Sequence, residues 1–555
     1  MTFAETGGPG AALAARRAAA LWERTDPVRA RQALMLAVQL APLSPAPRLG
    51  LARVAAEAGD FEAATAEART VLASSTEAAA QGRAAFMLGE ISRHTGAADD
   101  ARGHYERTLQ IYDAVLGRHP GEPDASRWYA RACGRIAELD AGARDFARAR
   151  RGAEAALAML RATAAQISET PELAADIADA ELRLGALELD ANQPASARRR
   201  FNEAIGRYEA LAVTETAEPH WRAVLSDAWA LAAEADYARG AAEAAREAMD
   251  KALQARLVLA ARDPNESWAL AGTWRVRAAL RAALGDNPAA AESMQQARAI
   301  AERLFAANRA AEAPARFFVH TLLEQADHAL RASQIAIARE AALEARVHAE
   351  SFAAQNSADA GWLAEAAACW DRLGEVARAS ATSAAEAFVR ATAFRRMACD
   401  RGRGTAQDTR ALAGALLKQG DDALARKDHV AARSAFSESV ELRLRLTEKA
   451  PADRAAAQAL AVALERLGLA AQAMGDLGAA REAWEEELLL ARRLFQPADL
   501  EGMRFCAIVE SHLAQAGGPS AETHRQAALD RFDALARAGL LSEREAALRK
   551  QLWRA

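Results

Sequence analysis

Residues 460–484 read LAVALERLGLAAQAMGDLGAAREAW and hold the pattern on which most of the chain is built. Gly475 and Asp476 mark a break in this stretch, because glycine takes the left-handed backbone that ends a helix and aspartate caps the next helix. Gly468 lies seven positions before Gly475, and Ala480 lies five positions after it. Small side chains at matched depths let two helices approach closely. The stretch therefore predicts a tight helical hairpin.

The same break recurs about every 48 residues from near residue 90 to near residue 490. The break positions are Thr25, Gly59, Gly96, Arg144, Asn192, Gly240, Gly285, Ser333, Ala381, Lys427 and Gly475. The residue seven positions before a break is always Ala or Gly, and the residue five positions after it is Ala in every unit but one. The exception is Glu386, which indicates that the positions in its unit are shifted by one residue relative to the break. Bulky side chains often stand nine positions after the break, where they would fill the space against the following unit: Leu34, Tyr105, Phe201, Met249, Met294, Phe436 and Trp484.

The composition agrees with a helical repeat. Hydrophobic residues make up 51% of the chain but aromatic residues only 5%, so the interior must be mostly Ala and Leu. This composition suits close helix packing, and no segment shows the alternation of a β-strand. Because one hairpin cannot bury its apolar face alone, consecutive hairpins must stack. We therefore expect an all-α solenoid of about eleven helix-turn-helix hairpins.

Several first helices carry a Leu-Gly pair, at Leu88-Gly89, Leu184-Gly185, Leu373-Gly374 and Leu467-Gly468. These pairs, with the Trp-Asp-Arg-Leu-Gly of residues 370–374, resemble the first-helix signature of the tetratricopeptide repeat (TPR) family, over most of the chain from Ala12 to Phe495. The common TPR unit has about 34 residues, whereas the longer units here resemble the long bacterial variety. The resemblance implies a right-handed superhelical α-solenoid of TPR-like hairpins that binds protein segments.

The two ends of the chain depart from the repeat. Residues 1–10 predict a flexible N-terminal tail, and residues 11–495 form the predicted TPR-like solenoid. Residues 496–555 predict an irregular C-terminal helical capping segment, broken at Gly517-Gly518-Pro519. Ser542, followed three positions later by Glu545, predicts a capped last helix. This segment is expected to cover the apolar end of the stack.

Charge and composition disfavour several classes of protein. The net charge of -5 lacks the basic surplus typical of nucleic-acid binding. The first residues do not resemble a signal peptide, and no uncharged apolar run reaches the roughly 18 residues of a membrane span. The scattered cysteines fit a reducing compartment as small buried hydrophobes: Cys133, Cys369, Cys399 and Cys506. We therefore expect a cytoplasmic protein with no nucleic-acid or membrane partner.

We find no motif that predicts catalysis. The sequence contains no phosphate-binding Gly-x-x-x-x-Gly-Lys loop, no HExxH and no Gly-x-Ser-x-Gly. His320 and His328 lie two turns apart on one predicted helix face, where a surface or packing role outweighs a metal site. Cys506 and His512 are six positions apart and project to different sides of a helix. We expect no enzymatic activity, no cofactor and no metal.

Six of the ten residues that stand six positions before the breaks from Gly59 onward are acidic and form a stripe, and the other four are Arg53, Ala186, Ala279 and Leu469. The candidate partner-binding residues in this stripe are Glu90, Glu138, Glu234, Asp327, Glu375 and Asp421. In the TPR family this part of the first helix faces the concave groove. The stripe is therefore expected to attract a protein or peptide partner with a basic segment.

A local alternative stays open for half of the stripe. Arg135, Arg372 and Lys418 stand three positions before Glu138, Glu375 and Asp421 and would neutralise them on their own helices. The better candidates are those without such a neighbour: Glu90, Glu234 and Asp327.

Residues and resemblance together predict a non-catalytic protein–protein interaction scaffold that binds partner segments in a concave groove. Long repeats of this kind resemble arrays in bacterial signalling and defence systems, so a sensor or recruitment subunit is the finer expectation. The alternative is a structural assembly factor that self-associates into an oligomer, and the sequence leaves the oligomeric state open. Trp221, Trp268 and Trp362 lie between units, either as an exposed row for ligand stacking or as plugs in the gaps.

Overall fold

The computed structural model describes Ala15, Arg17 and residues 26–167, 169–214, 219–356, 359–402, 404–451, 453–495 and 499–554. Within these ranges the protein has 24 α-helices, a short 3-10 helix at Pro264–Glu266 and no β-strand. The predicted tail at residues 1–10 and the predicted break at Thr25 lie outside the described residues. The all-α fold of successive hairpins is confirmed.

Two compact units divide the chain between Leu284 and Gly285, within the predicted solenoid. The first unit contains α1 (Pro27–Leu40), α2 (Pro45–Glu57), α3 (Phe61–Ser74), α4 (Ala78–His94), α5 (Ala98–Leu116), α6 (Pro123–Gly142), α7 (Phe146–Gln166), α8 (Pro171–Asp190), α9 (Pro194–Thr214), α10 (Pro219–Ala238), α11 (Ala242–Ala260) and α12 (Ser267–Ala283). The second unit contains α13 (Asn287–Ala307), α14 (Glu312–Arg331), α15 (Ile335–Gln355), α16 (Ala360–Ala379), α17 (Ala385–Arg401), α18 (Ala406–Ala425), α19 (His429–Lys449), α20 (Arg454–Ala473), α21 (Leu477–Leu494), α22 (Leu500–Gln515), α23 (Ala521–Arg537) and α24 (Glu543–Arg554). Within each unit, every helix packs on the next helix along the chain.

A residue with left-handed backbone ends the first helix of each hairpin. All ten break positions that the structure describes have positive φ, and five of them are not glycine: Arg144, Asn192, Ser333, Ala381 and Lys427. Left-handed backbone at each of these five non-glycine residues lowers the stability of the fold by about 1–2 kcal/mol, and the packing of the two helices must offset this cost. The predicted aspartate caps are present, since Asp60, Asp286 and Asp476 each accept a hydrogen bond from the backbone N–H three residues later.

Small residues before the break lie under the bulky residue of the same hairpin. A Cβ placed on Gly89 would be 2.5 Å from Tyr105 Cε1, and one on Gly185 would be 2.6 Å from Phe201 Cε1. Real Cβ atoms essentially never approach below 3.0 Å, so only glycine admits these rings. The bulky residues thus pack on the small residues of their own hairpin. The sequence had predicted only their packing against the following unit.

The unit at Ala381 slips by two residues, and the predicted slip of one residue was wrong. Its ring is Phe388, seven positions after the break, and a Cβ on Gly374 would be 2.6 Å from Phe388 Cε1. Its buried alanine is Ala384, three positions after the break, which leaves Glu386 exposed. The cause is a longer turn, because α17 begins four positions after the break instead of two.

Three helices follow the last regular hairpin of the second unit. Cys506 and Leu513 of α22 pack on α21, and Phe532 of α23 packs with residues of α22 and α24. The predicted capping box is present, since the Ser542 N–H donates to Glu545 Oε2 at 2.7 Å and the Glu545 N–H donates to Ser542 Oγ at 3.3 Å. The segment boundary at residue 496 and its covering role stay predictions.

Candidate functional site

Charged residues on consecutive first helices form a series of ion pairs, which we call the ladder. In the first unit, Arg135 of α6 joins two acids: its Nε lies 2.8 Å from Glu90 Oε1 on α4, and its Nη1 lies 2.9 Å from Glu138 Oε1 on α6. Arg183 of α8 continues the ladder, with its Nε 2.8 Å from the same oxygen of Glu138.

The ladder recurs in the second unit. Arg372 Nε of α16 lies 2.6 Å from Asp327 Oδ1 on α14, and Arg372 also pairs with Glu375 on its own helix. Lys418 Nζ of α18 lies 3.0 Å from Glu375 Oε1. Each base therefore reaches back to the acid of the preceding hairpin.

A rule of position underlies the ladder. Each acid stands six positions before its break, and each base stands nine positions before the next break. Arg466 and Asp421, with Nε and Oδ1 3.1 Å apart, form a further pair of this kind. The pairing within a helix that the sequence predicted is present for Glu138 and Glu375, but Lys418 pairs with Glu375 and Asp421 pairs with Arg466, so the predicted Lys418–Asp421 pair was wrong. Sequence reasoning missed the pairing between hairpins, although the spacing carries the signal.

Five of the six candidate acids are thus held in ion pairs. Burial raises the pKa of Glu90, but Arg135 and the other donors around it outweigh burial and hold the pKa below its ordinary value. Burial prevails at Asp327 and Asp421, whose pKa is raised in spite of their arginine partners. The stripe therefore presents little unpaired negative charge.

Glu234 is the exception. Its side chain is exposed on α10 and makes no ion pair or hydrogen bond with any residue that the structure describes. Val276, largely exposed, occupies the position where the ladder places the matching base. Among the six predicted residues, Glu234 is therefore the one whose charge is available to a partner.

Removing Arg135 is expected to destabilise the first unit, because Glu90 and Glu138 would both lose a partner. The three side chains are partly exposed, which limits the loss of unfolding free energy for Arg135→Leu to about 1–2 kcal/mol. Thermal melting at low salt measures it, with Glu234→Gln as a control that should melt like the wild type. Equal melting of all three proteins would show that the ladder contributes nothing to stability.

The ladder is interrupted at its N-terminal end. Arg53 stands six positions before Gly59, where later units often have an acid, and Met87 stands nine positions before Gly96, where later units often have a base. A groove of about 1070 Å³ opens there within the first unit, against α2, α4 and α6. Its apolar lining includes Leu49, Phe61, Phe86, Met87 and Trp128. We call it the N-terminal groove.

Aromatic contacts fix the wall of the N-terminal groove. Phe86 meets Trp128 edge to face, with ring centres 5.3 Å apart, and the Arg131 guanidinium lies 4.8 Å from the centre of the Trp128 ring. Phe61 stacks on His94 at 6.2 Å. A preformed apolar surface of half-buried rings suits bulky apolar side chains of a ligand. Sequence reasoning did not single out this groove, although Arg53 visibly breaks the acidic stripe.

The other candidates from the sequence are paired with neighbouring side chains or buried. His320 Nε2 lies 2.8 Å from Glu365 Oε1. Burial raises the pKa of the Cys506 thiol, and burial lowers the pKa of His512 to about 4, so neither resembles an activated pair. Trp362 is fully buried and stacks on Phe352 at 4.5 Å, which agrees with the gap-filling interpretation.

No cluster of three or more potential metal-ligating side chains occurs in the described part of the chain. Among the helices described, none is both long and apolar enough to span a membrane.

Comparisons with known proteins give similarities of low score. No protein-family profile matches the sequence, and no curated protein sequence is detectably similar to it. The crystal structure of yeast Tom70 is similar with a TM-score of 0.40 and 13% identity, over 91% of this chain and 96% of Tom70. The apo form of RapI is similar with a TM-score of 0.43 and 11% identity, over 73% of this chain and 98% of RapI. BtubC (BKLC) from P. vanneervenii is similar with a TM-score of 0.36 and 19% identity, over 47% of this chain and 95% of BtubC. The hairpin architecture therefore rests on the chain's own helices and turns.

Proposed function

We propose that the protein is a non-catalytic scaffold that binds a segment of a partner protein in the N-terminal groove. The observation that supports this most is the preformed apolar surface of Phe86, Met87 and Trp128 on two successive first helices. Partner segments commonly anchor themselves by placing bulky apolar side chains in such grooves.

The span of the groove favours a peptide over a small molecule. Packed helices lie about 8–10 Å apart, so a groove that runs from α2 past α4 to α6 extends about 20 Å. A segment of a partner protein can contact the whole length, with several side chains contributing. The apolar floor and the charged rim give such a segment both anchoring and orientation.

Selection from a displayed random peptide library on the full chain tests this proposal. Ala56 lines the groove, and Ala56→Trp should fill it. We expect peptides that bind the wild type and lose at least about tenfold in affinity on Ala56→Trp, a loss of about 1.4 kcal/mol or more. Ala279→Trp, at an exposed position of α12, is the matched control and should bind like the wild type. Failure to select any groove-dependent peptide would contradict the proposal.

We further propose that the chain is a cytoplasmic sensor or recruitment subunit of a bacterial signalling or defence system. The resemblance of its long units to bacterial TPR arrays supports this. Purified products of neighbouring genes can be tested for binding to the wild type and to Ala56→Trp. A product retained by the wild type alone would support the assignment, and retention of none would count against it.

The acidic stripe stays a candidate contact for a basic segment, and Glu234 is its best test. Glu234→Lys should weaken binding of an Arg-rich peptide by about threefold to tenfold at low salt, because one favourable charge becomes repulsive. Melting should not change, since Glu234 has no partner among the described residues. Isothermal titration calorimetry measures the affinity of the peptide for both proteins. Equal affinities of the wild type and Glu234→Lys would remove Glu234 from the candidate site.

Self-association is a second candidate function, favoured by apolar side chains exposed on second helices of the second unit. Leu343 and Val347 are exposed on α15, and Val389 and Met397 are exposed on α17. Light scattering on the 59.0 kDa chain separates the two candidates. A monomer supports the scaffold, and a stable oligomer that Val347→Glu dissociates supports assembly.

A further inference from the structure

The rim of the N-terminal groove carries charges that bear on the chemistry of the partner, and the inference drawn from them rests on the proposed function. Four basic side chains and two acidic side chains line the groove: Arg17, Arg53, Arg83, His94, Glu57 and Glu90. The two acids decide whether this surface repels or accepts an incoming carboxylate.

Both acids are already engaged by donors of the protein. Glu90 Oε1 accepts a hydrogen bond from the Tyr105 hydroxyl at 2.5 Å, and its Oε2 lies 3.2 Å from Arg93 Nη2. Arg135 pairs with the same carboxylate as part of the ladder. Glu57 Oε1 lies 3.4 Å from Arg53 Nη1 on its own helix. The negative charge of the groove is therefore compensated within the protein.

The basic side chains outnumber the acidic ones, so the rim of the groove keeps a surplus of positive charge. The side chain of Arg53 is 46% exposed and that of its partner Glu57 is 56% exposed. An ion pair so exposed contributes at most about 1 kcal/mol, so a ligand carboxylate can share Arg53 with Glu57 and the other groups that Arg53 contacts. Arg83 is also exposed, on α4, where it interacts with Tyr112. Guanidinium groups accept carboxylates in a planar two-point geometry, which adds orientation to attraction.

We propose that the N-terminal groove takes an acidic segment of a partner protein. Bulky apolar side chains of the segment lie on Phe86, Met87 and Trp128, and its carboxylates face Arg53 and Arg83. This charge preference is opposite to the one expected near Glu234. The interruption of the ladder explains both features, since Met87 in place of a base opens the apolar surface and Arg53 in place of an acid changes the sign of the charge.

Two synthetic peptides of about 14 residues test the inference, a length that spans about 20 Å as a helix. Both carry Leu, Phe and Trp at the same positions, and the polar positions are Asp and Glu in one peptide and Lys in the other. Fluorescence anisotropy with the full chain should show at least tenfold tighter binding of the acidic peptide, decreasing with salt. Arg53→Glu should abolish or reverse the preference, and Arg53→Gln should reduce it. Arg390→Glu, at an exposed position of the second unit, should leave it unchanged.

The outcomes separate this inference from the proposed function. Equal binding of both peptides, tighter binding of the Lys peptide, or an unchanged preference in Arg53→Glu with wild-type melting would overturn the acidic partner. If Ala56→Trp still abolishes binding in those cases, the scaffold function stands. Binding that survives Ala56→Trp would overturn both.

Discussion

Gly185→Leu should clearly destabilise the hairpin formed by α8 and α9. Even a Cβ at Gly185 would be 2.6 Å from Phe201 Cε1 and 3.1 Å from Arg200 Cβ, so a leucine side chain has no room between α8 and α9. Overpacking of a close helix contact costs about 1–3 kcal/mol, and the buried Phe201 ring has little freedom to move. We expect a lower melting temperature and a lower urea midpoint.

Gly206→Leu is the matched control for this substitution. Gly206 lies on α9 in an exposed position, and a Cβ placed there would have no described heavy atom within 4 Å apart from its chain neighbours and the backbone of its own helix. Leucine favours helix over glycine by somewhat less than about 1 kcal/mol, so the control should melt at or slightly above the wild-type temperature. If Gly185→Leu melted like Gly206→Leu, the nesting of rings on small residues would not hold the hairpins together.

Glu487→Gln should remove a strong pH dependence of stability in the second unit. Glu487 is 2% exposed on α21, and its Oε2 has no hydrogen-bond partner among the residues that the structure describes. Burial raises its pKa from 4.5 to about 9, with help from Glu465 and against the effect of Arg466, both on α20. Cys506 of α22 is a further titratable group beside it.

The sign of the pH effect follows from the raised pKa. Between pH 4.5 and about 9 the folded protein keeps a proton on Glu487 that the unfolded chain has released. Stability therefore falls as pH rises through this window, by as much as about 4 kcal/mol over about three pH units. Glutamine stays neutral, so Glu487→Gln should flatten this dependence and raise stability at the alkaline end.

Urea unfolding at several pH values measures the effect. Glu486→Gln, on the exposed side of the same helix, should keep the wild-type slope. A slope for Glu487→Gln equal to that of the wild type would mean that Glu487 titrates normally in the folded protein.

Local rules explain why the hairpins could be predicted from sequence. Small residues seven positions before each break and alanines five positions after it repeat often enough to fix the phase, even where the break residue is Arg144 or Lys427. The turn imposes positive φ on whichever residue stands at the break. The break could therefore be located without a glycine at that position. The two-residue slip at Ala381 escaped detection because its cause is a longer turn before α17.

Contacts between hairpins explain why the site was predicted only in part. Pairing of Glu90 with Arg135 joins residues 45 positions apart and depends on how one hairpin stacks on the next. An i,i+3 rule finds only the part of the ladder within a helix. The N-terminal groove depends on Met87 and Trp128 from different hairpins meeting at one surface.

Hydrogen–deuterium exchange of the full chain with and without a selected groove-dependent peptide tests the central claim most directly. The account predicts slower exchange in residues 46–57 of α2, residues 83–94 of α4 and the first turns of α6 around Trp128. Protection of α15 and α17 instead, or no change around the N-terminal groove at saturating peptide, would contradict it.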